Sequence, residues 1–202
     1  MAEAIKEFVL SQGISKSEAV VAFENLEAVN RKILDGRAKR YFFVPEPIKL
    51  FVENAIEKEI ELKYHPSVDM GKRRIKVGNI FYIPKGDADK LKEGEIFRLK
   101  DLYNVKILKK GNEIYGKFAG EKLMEDINKI QWVSQEFIKI RIFIPSLPFK
   151  NGEFDENSLK IIEGYAEKNV EEIKHGEIVQ FERVGFVKIE RKNGIVGILA
   201  HR

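Results

Sequence analysis

The sequence predicts a mainly β protein with an α-helical N-terminal segment, and two observations predict it. Apolar residues recur at helical spacing through the first 36 residues. From Tyr41 onward the pattern changes to short apolar or alternating runs rich in Phe, Ile, Val and Tyr, which are typical of strands. Many short strands separated by turns favour antiparallel barrels or sandwiches.

The helical segment contains two expected helices. Ala4, Ile5, Phe8 and Val9 share one helical face, and Gly13 is an expected stop. Ser15 with Glu18 three residues later forms a capping box that starts the second helix. Its apolar stripe consists of Phe23, Leu26, Val29, Ile33 and Leu34, and the sequence Asp35-Gly36 ends it.

The strand region is divided by residues that tolerate a positive φ angle. These turns lie at 85–87, 92–94, 110–112, 151–152, 175–176 and 192–194. Residues 90–107, KLKEGEIFRLKDLYNVKI, echo residues 171–189, EEIKHGEIVQFERVGFVKI, although the chain has no fixed-period repeat. Two similar barrels would produce this echo, and so would convergent hairpin chemistry.

Composition excludes several classes of protein and site. The chain has 202 residues, 44% of them hydrophobic and 34% charged, which is typical of a globular protein with a buried core. It contains no cysteine, which excludes disulfides, thiolate metal sites and cysteine nucleophiles. No apolar run approaches the length of a membrane-spanning helix, and the first residues do not resemble a signal peptide, so we expect a cytoplasmic protein.

A complete active site is not visible in the sequence. The three histidines, His65, His175 and His201, are far apart and lack companions at metal-ligand spacing. The sequence contains no glycine-rich loop of the kind that binds nucleotide phosphates. The paired acids, Asp87 with Asp89 and Glu171 with Glu172, are expected on the solvated surface. Residues 61–110, by contrast, hold 13 basic and 7 acidic side chains, which makes this stretch a candidate surface for a polyanion.

Four separated motifs resemble the carboxy-terminal, anticodon-binding end of the glutaminyl- and archaeal-type glutamyl-tRNA synthetases. They are SKSEAVVAFENLEAVNRKILDGRAKRYFFVPEPIKLFVEN (15–54), HPSVDMGKRRI (65–75), WVSQEFIKIRIFIP (132–145) and EGYAEKNVEEIKHGEIVQFERVGFVKIE (163–190). The resemblance runs nearly end to end, and the ending GILAHR favours the archaeal glutamyl branch. It implies a helical segment at 1–37, a proximal β-barrel from 38–60 and 125–202, and a distal β-barrel at 61–124.

The resemblance also implies what the chain lacks. The family activates its amino acid with ATP and Mg in an amino-terminal Rossmann domain, whose two signature motifs are missing here. ISKS at Ile14–Ser17 mimics one of them but belongs to the helical segment. We therefore expect an RNA-binding part of a glutamate-tRNA ligase without a cofactor of its own, either excised or separately encoded, and inactive alone. The partners would be tRNA(Glu), with tRNA(Gln) as a further candidate, and a catalytic domain in cis or trans.

The resemblance assigns the following residues to tRNA anticodon binding: Arg40, Lys72, Arg73, Arg74, Arg98, Lys100, Gln180 and Arg183. Guanidinium forks and an amide suit base edges, and lysines suit phosphates. For each, the alternative is a surface ion pair, as Glu182 beside Arg183 or Asp101 beside Lys100 suggests. The basic run at 72–76 is expected to be an exposed loop that embraces the backbone.

The sequence leaves two residue assignments and the identity of the chain open. Gln180 and Arg183 are three residues apart, so they face opposite sides of a regular strand unless a bulge or turn intervenes. His65 either stacks on a base or orients a turn through His-Pro. Trp132, Phe181, Phe186 and Val187 are expected in barrel interiors. Two other identities compete with the first: the end of a glutaminyl-tRNA synthetase, and a barrel appendage whose first 36 residues dock a separate catalytic subunit.

Overall fold

A computed structural model of the chain describes residues 1–13, 23–150, 152–191 and 194–201. Helix α1 spans Ala2–Ser11, and Gly13, with φ +72°, follows its end as the sequence predicts. Helix α2 spans Phe23–Asp35. The expected capping box of Ser15 and Glu18 and the turn residues Asn151, Lys192 and Asn193 lie outside the described residues. None of the helices within those ranges is long and apolar enough to cross a membrane.

The rest of the described chain is mainly strand, which confirms the predicted fold class. The strands are β1 Arg40–Tyr41, β2 Phe43–Pro45, β3 Pro47–Glu53, β4 Lys58–Lys63, β5 Lys72–Val77, β6 Ile80–Pro84, β7 Ile96–Leu99, β8 Asn104–Lys110, β9 Ile114–Phe118, β10 Lys129–Ile130, β11 Val133–Ser134, β12 Phe137–Pro145, β13 Phe149–Lys150, β14 Glu153–Phe154, β15 Leu159–Glu167, β16 Ile178–Phe181, β17 Gly185–Glu190 and β18 Val196–His201. A short helix α3, Lys85–Ala88, and a 3₁₀ turn, Lys168–Glu172, interrupt them.

Two seven-stranded sheets form the body of the protein. We name them the carboxy-terminal sheet, in the order β1-β16-β17-β18-β12-β15-β2, and the central sheet, in the order β10-β7-β8-β9-β3-β6-β11. The two edge strands of the carboxy-terminal sheet are separated in sequence by Phe42 alone, and those of the central sheet by Gln131 and Trp132. One kinked segment thus supplies both edge strands of each sheet, so each sheet curls until these edge strands come close together.

The two sheets repeat the same pairing pattern. In both, four ladders are antiparallel and two are parallel, in the same order. The sequence echo falls on equivalent hairpins: β7–β8 in the central sheet and β16–β17 in the other. Even the turns agree, because Glu95 accepts the Lys92 N–H and Glu177 accepts the Lys174 N–H through their carboxylates. The structure therefore supports the explanation that residues 90–107 and 171–189 are alike because they belong to two similar barrels.

Two glycines occupy equivalent positions in the two sheets. A Cβ on Gly116 of β9 would lie 2.5 Å from Val105 Cγ1, and a Cβ on Gly197 of β18 would lie 2.5 Å from Val187 Cγ1. Glycine at these positions lets neighbouring strands pack where any side chain would collide.

The sheets divide the chain at other points than the expected boundaries of 38–60, 61–124 and 125–202. Strand β3, at residues 47–53, pairs with β6 and β9 of the central sheet. Strands β10 and β11, at residues 129–134, close that sheet as well. Local patterns identify strands, whereas sheet membership depends on pairing between distant segments, and the sequence pattern does not report that pairing.

The two sheets contact each other at their closing kinks. Phe42 of one kink packs edge-on against Trp132 of the other, with ring centroids 5.8 Å apart, and both side chains are fully buried. In the amide orientation that satisfies both of its polar atoms, Gln131 accepts the Phe43 N–H at 3.2 Å and donates to the Glu182 carbonyl at 3.3 Å. Trp132 also donates from Nε1 to the Lys100 carbonyl at 2.9 Å, which confirms its expected place in the core. Phe42, from the kink of the carboxy-terminal sheet, thus packs in the core of the central sheet and joins the two barrels there.

Candidate nucleic-acid interface

A cleft lies between helix α2 and the β16–β17 hairpin, and we name it the α2 cleft. Its lining contains three cationic side chains and one carboxylate. It is lined by Ala28, Arg31, Lys32, Asp35, Gln180, Arg183, Val184, Gly185 and Phe186. The excess of positive charge over a concave surface favours an anionic ligand.

Gln180 and Arg183 both reach this cleft because the chain turns between them. Gln180 is the third residue of β16, whereas Arg183 lies in the turn to β17 with a φ of +65°. A positive φ is uncommon for a residue with a side chain and reverses the chain direction here. The two side chains therefore do not alternate as they would in a regular strand. The turn at Arg183 is what allows both of them to face the same cleft.

The polar contacts of these residues are unequal. Arg183 Nη1 pairs with the Asp87 carboxylate, and Nη2 donates to the Lys129 carbonyl at 3.1 Å, so Arg183 links the two barrels. Gln180 Oε1, by contrast, is buried without a hydrogen-bond partner among the described residues. A buried acceptor without a partner is unfavourable by about 1–3 kcal/mol, so a water or a ligand group that donates to Gln180 Oε1 would stabilise it.

Arg40 lies beside Gln180, since β1 and β16 are parallel neighbours with these two residues in register. Its Nη2 donates to Asp35 Oδ1 at 2.8 Å, and Asp35 belongs to the α2 cleft. Its Nε is buried and lacks a partner among the described residues. Arg40 and Gln180 thus place an unused donor and an unused acceptor on adjacent strands.

The basic run at 72–76 is a strand and not the expected loop. Strand β5 pairs with β4 along its whole length, and its side chains alternate between exposed and buried. Lys72 and Arg74 are exposed, and they pair with Glu61 at 3.1 Å and 3.4 Å. We name these two strands the β4–β5 ribbon. Its outer face carries Lys72 and Arg74, whose ion pairs with Glu61 lower the pKa of that carboxyl.

Arg73 faces the opposite way and is 3% exposed, so its assignment to an exposed RNA-binding loop is corrected. Its Nε lies 2.5 Å from Glu167 Oε1, and its Nη1 donates to the Lys63 carbonyl at 2.7 Å. Glu167 also accepts the Phe42 N–H at 3.0 Å. Burial raises the pKa of Glu167, and the charge of Arg73 opposes that rise. The pair ties the ribbon to the closing kink of the carboxy-terminal sheet.

A second cleft, the ribbon cleft, separates the ribbon from the turns that follow β7 and β16. Its lining includes Arg40, Lys63, Arg73, Lys100 and Glu182. Lys100 Nζ pairs with Glu182, its equivalent in the other hairpin, and lies 5.5 Å from the centre of the Phe42 ring. The structure thus pairs Lys100 with Glu182 and Arg183 with Asp87, instead of the sequence neighbours considered above.

Arg98 stands apart from both clefts. Its Nη1 donates to Asn104 Oδ1 at 2.9 Å and to the Glu121 carbonyl at 3.0 Å, and its Nη2 donates to the Leu102 carbonyl at 3.1 Å. These bonds hold the β7–β8 turn and the segment after β9. Since its Nη donors are engaged within the fold, Arg98 positions backbone rather than presenting an open guanidinium fork.

The structure adds residues that the sequence argument left aside. Arg31 and Lys32 of helix α2 line the α2 cleft. His65 is buried, and its Nδ1 accepts the N–H groups of Ser67 and Val68 at 3.1 Å and 2.9 Å, so it orients the His-Pro turn. In the described part of the chain, His, Asp and Glu side chains do not gather into a group of three that could hold a metal.

Comparisons with known proteins show which family the chain resembles. The family described as tRNA synthetases class I (E and Q), anti-codon binding domain, matches residues 38–119 with one sequence profile and 129–190 with a second. The glutamate-tRNA ligase of Nitrosopumilus maritimus is 38% identical over 192 residues, which cover 95% of this chain and 34% of the relative. That of Pyrococcus furiosus is 41% identical over 209 residues, which cover 99% and 35%. The chain thus spans about a third of the length of these curated relatives.

Proposed function

This chain belongs to the anticodon-binding family of the class I (E and Q) tRNA synthetases, and we propose that it binds the anticodon loop of tRNA(Glu) as the carboxy-terminal part of a glutamate-tRNA ligase. The observation that carries the proposal is the pair of unused buried atoms on the adjacent strands β1 and β16, Arg40 Nε and Gln180 Oε1. Gln180 lines the basic α2 cleft, and Arg40 lines the neighbouring ribbon cleft. A splayed-out base supplies the missing donor and acceptor.

The chemistry of these atoms suits a uracil. The Watson–Crick edge of uracil presents an N–H donor between two carbonyl acceptors. Gln180 accepts through Oε1 and donates through its amide, while Arg40 and Arg183 donate only. Single-stranded RNA is read through such base edges once the bases unstack, and phosphates are met by nearby cations. Arg31 and Lys32 on the cleft wall and Lys100 in the ribbon cleft supply those cations.

In the complete ligase, this part would act at a distance from the chemistry. ATP and Mg²⁺ would bind in a catalytic part supplied in cis or in trans, in the cytoplasm. Correct anticodon binding would then favour the productive placement of the acceptor end, which contributes to specificity in the rate of aminoacylation. tRNA(Gln) is a second substrate candidate because its anticodon has the same middle uracil.

The test is a binding titration with anticodon stem-loop RNA at low and moderate salt. We expect the native loop to bind about tenfold more tightly than a loop with its middle uracil replaced, which corresponds to about 1.4 kcal/mol. Gln180→Ala and Arg183→Ala should each erase most of this difference, because each removes a group of the α2 cleft.

Gln135→Ala is the matched control, since Gln135 is exposed and lies outside both clefts. It should leave the preference unchanged. Equal binding of both loops, with loss of binding at moderate salt, would contradict base reading and leave only phosphate attraction.

That outcome would favour a second candidate function, docking of a separate catalytic subunit through the helical segment. One observation supports it. On helix α1, Ile5, Val9 and Leu10 are 55%, 60% and 70% exposed, while only Ala4 is buried. An exposed apolar helix face is a usual feature of protein–protein contacts.

A further inference from the structure

His201, near the end of β18, is buried beneath helix α2. It is 6% exposed, and its ring lies parallel to the Phe186 ring, with an interplanar angle of 7° and centroids 6.2 Å apart. Phe186 is itself part of the lining of the α2 cleft. The histidine therefore lies between the sheet and helix α2, next to the lining of the cleft.

Its ring nitrogens face two residues of α2. Arg31 Nε donates to His201 Nε2 at 3.2 Å, and Glu27 Oε1 lies 3.7 Å from His201 Nδ1. Glu27 and Arg31 are four residues apart, so they occupy the same face of the helix. Because Nε2 accepts a hydrogen bond, the proton of the neutral ring is on Nδ1, where the Glu27 carboxylate favours it.

From this geometry we infer that His201 is a positioning residue for RNA binding, which holds Arg31 in the α2 cleft so that its guanidinium meets a phosphate of the bound anticodon loop. The inference rests on the proposed function, since it concerns the same cleft. The hydrogen bond that Arg31 Nε donates to His201 Nε2 helps to fix the plane of the guanidinium. A guanidinium that is already oriented loses less conformational freedom when it binds a phosphate.

The interaction requires a neutral histidine. A protonated ring has no acceptor at Nε2 and places a positive charge beside Arg31. Burial lowers the pKa of His201, the charge of Arg31 lowers it further, and Glu27 opposes both effects. Within the described ranges of the chain, the groups that face the ring are Glu27 and Arg31 from α2 and the uncharged Phe186 from β17. RNA affinity should therefore be constant above pH 6.5 and fall as the pH drops towards the lowered pKa.

The experiment measures binding of the anticodon stem-loop by the chain from pH 8 to pH 5.5. His201→Gln keeps an acceptor near the Nε2 position and cannot titrate, so it should bind like wild type at pH 8 and lose less affinity at low pH. His201→Phe retains an aromatic ring against Phe186 without an acceptor. It should bind about fivefold more weakly at pH 8, as should Arg31→Ala. The double variant should show no further loss.

His175→Gln is the matched control, because His175 is exposed in a turn with Glu190 3.3 Å away. It should keep the wild-type pH profile. If His201→Gln shows the same pH dependence of RNA affinity as wild type, the inference is overturned. This comparison is decisive even if His201→Phe fails to fold. If Gln180→Ala weakens binding but His201→Phe does not, only the positioning role fails. If Gln180→Ala has no effect, the proposed function itself fails.

Discussion

Arg73 and Glu167 show how burial changes the role of a charged residue. The side chains of both are 2–3% exposed, and each supplies the other's counter-charge. Around the guanidinium lie the rings of Tyr41, Phe42 and Tyr64, with centroids 5.2–5.8 Å away. Removing either partner would leave the other charge buried among apolar groups without a counter-charge. The Arg73–Glu167 pair therefore stabilises the fold, and Arg73 need not be exposed for the protein to bind RNA.

We predict that Glu167→Gln lowers the free energy of unfolding by about 3–5 kcal/mol, because Arg73 loses its buried counter-ion. Urea unfolding measures this change. Adding Arg73→Met to Glu167→Gln should restore part of the loss, since the charge is then gone. Glu61→Gln is the control: Glu61 forms an exposed pair with Lys72, and its loss should change stability by about 0.5 kcal/mol or less. A loss below about 1 kcal/mol in Glu167→Gln would contradict the structural role.

At the scale of elements, alternate side chains of the β4–β5 ribbon face the core on one side and the solvent on the other. Its inner residues Arg73, Ile75 and Val77 are buried, while its outer residues Lys72, Arg74 and Lys76 are exposed. Six consecutive basic or apolar positions thus contribute alternately to the surface and to the core. The outer face offers cations without base-reading geometry, which suits contact with the phosphate backbone.

We predict that Lys72→Ala with Arg74→Ala weakens binding of every anticodon loop to a similar degree and leaves the preference for the native loop unchanged. If both side chains meet phosphates, the slope of log K against log salt should become shallower by about 1.4 for a single-stranded site. Titrations at several salt concentrations measure the slope.

The control for the ribbon is Lys106→Ala with Lys109→Ala. Both of these lysines are exposed on β8 and lie outside the two clefts. An equal effect from both double variants would show that the ribbon attracts RNA only through overall charge.

At the scale of the whole molecule, the two barrels are joined where each sheet closes. Phe42, Trp132 and Phe81 form a chain of edge-on ring contacts 5.3–5.8 Å long between centroids. The pairs Lys100–Glu182 and Arg183–Asp87 add polar links across the same junction. Because the closing kinks are also the junction, one barrel cannot open there without disturbing the other.

We therefore predict a single cooperative unfolding transition. Trp132 is the one tryptophan in the chain and lies at the junction, so its fluorescence reports on that contact. Fluorescence and far-ultraviolet circular dichroism should give coincident urea curves. Phe42→Ala should shift both curves together, by about 3–5 kcal/mol. Phe51→Ala, at a partly exposed outer contact with Tyr115, is the milder control. Separated curves would show that the barrels unfold independently.

The sequence by itself determined the class of fold, the family resemblance and most strands, because helical and strand periodicity and turn residues are local properties. It also determined the buried place of Trp132, since a lone tryptophan in an apolar run is usually core. The family resemblance identified Arg40, Gln180 and Arg183. The structure places Gln180 and Arg183 in the α2 cleft and Arg40 beside Gln180 on the adjacent strand. Their role as base contacts is still a prediction.

Only the tertiary structure decided which strand belongs to which barrel, why Arg73 is buried while Lys72 and Arg74 are not, and which carboxylate pairs with each cation. It also brought His201 and Arg31, 170 residues apart, into one hydrogen bond. The physical reason is common to all of these. Burial, counter-ions and sheet membership depend on contacts between segments distant in sequence, whereas a sequence pattern reports only what each segment prefers alone.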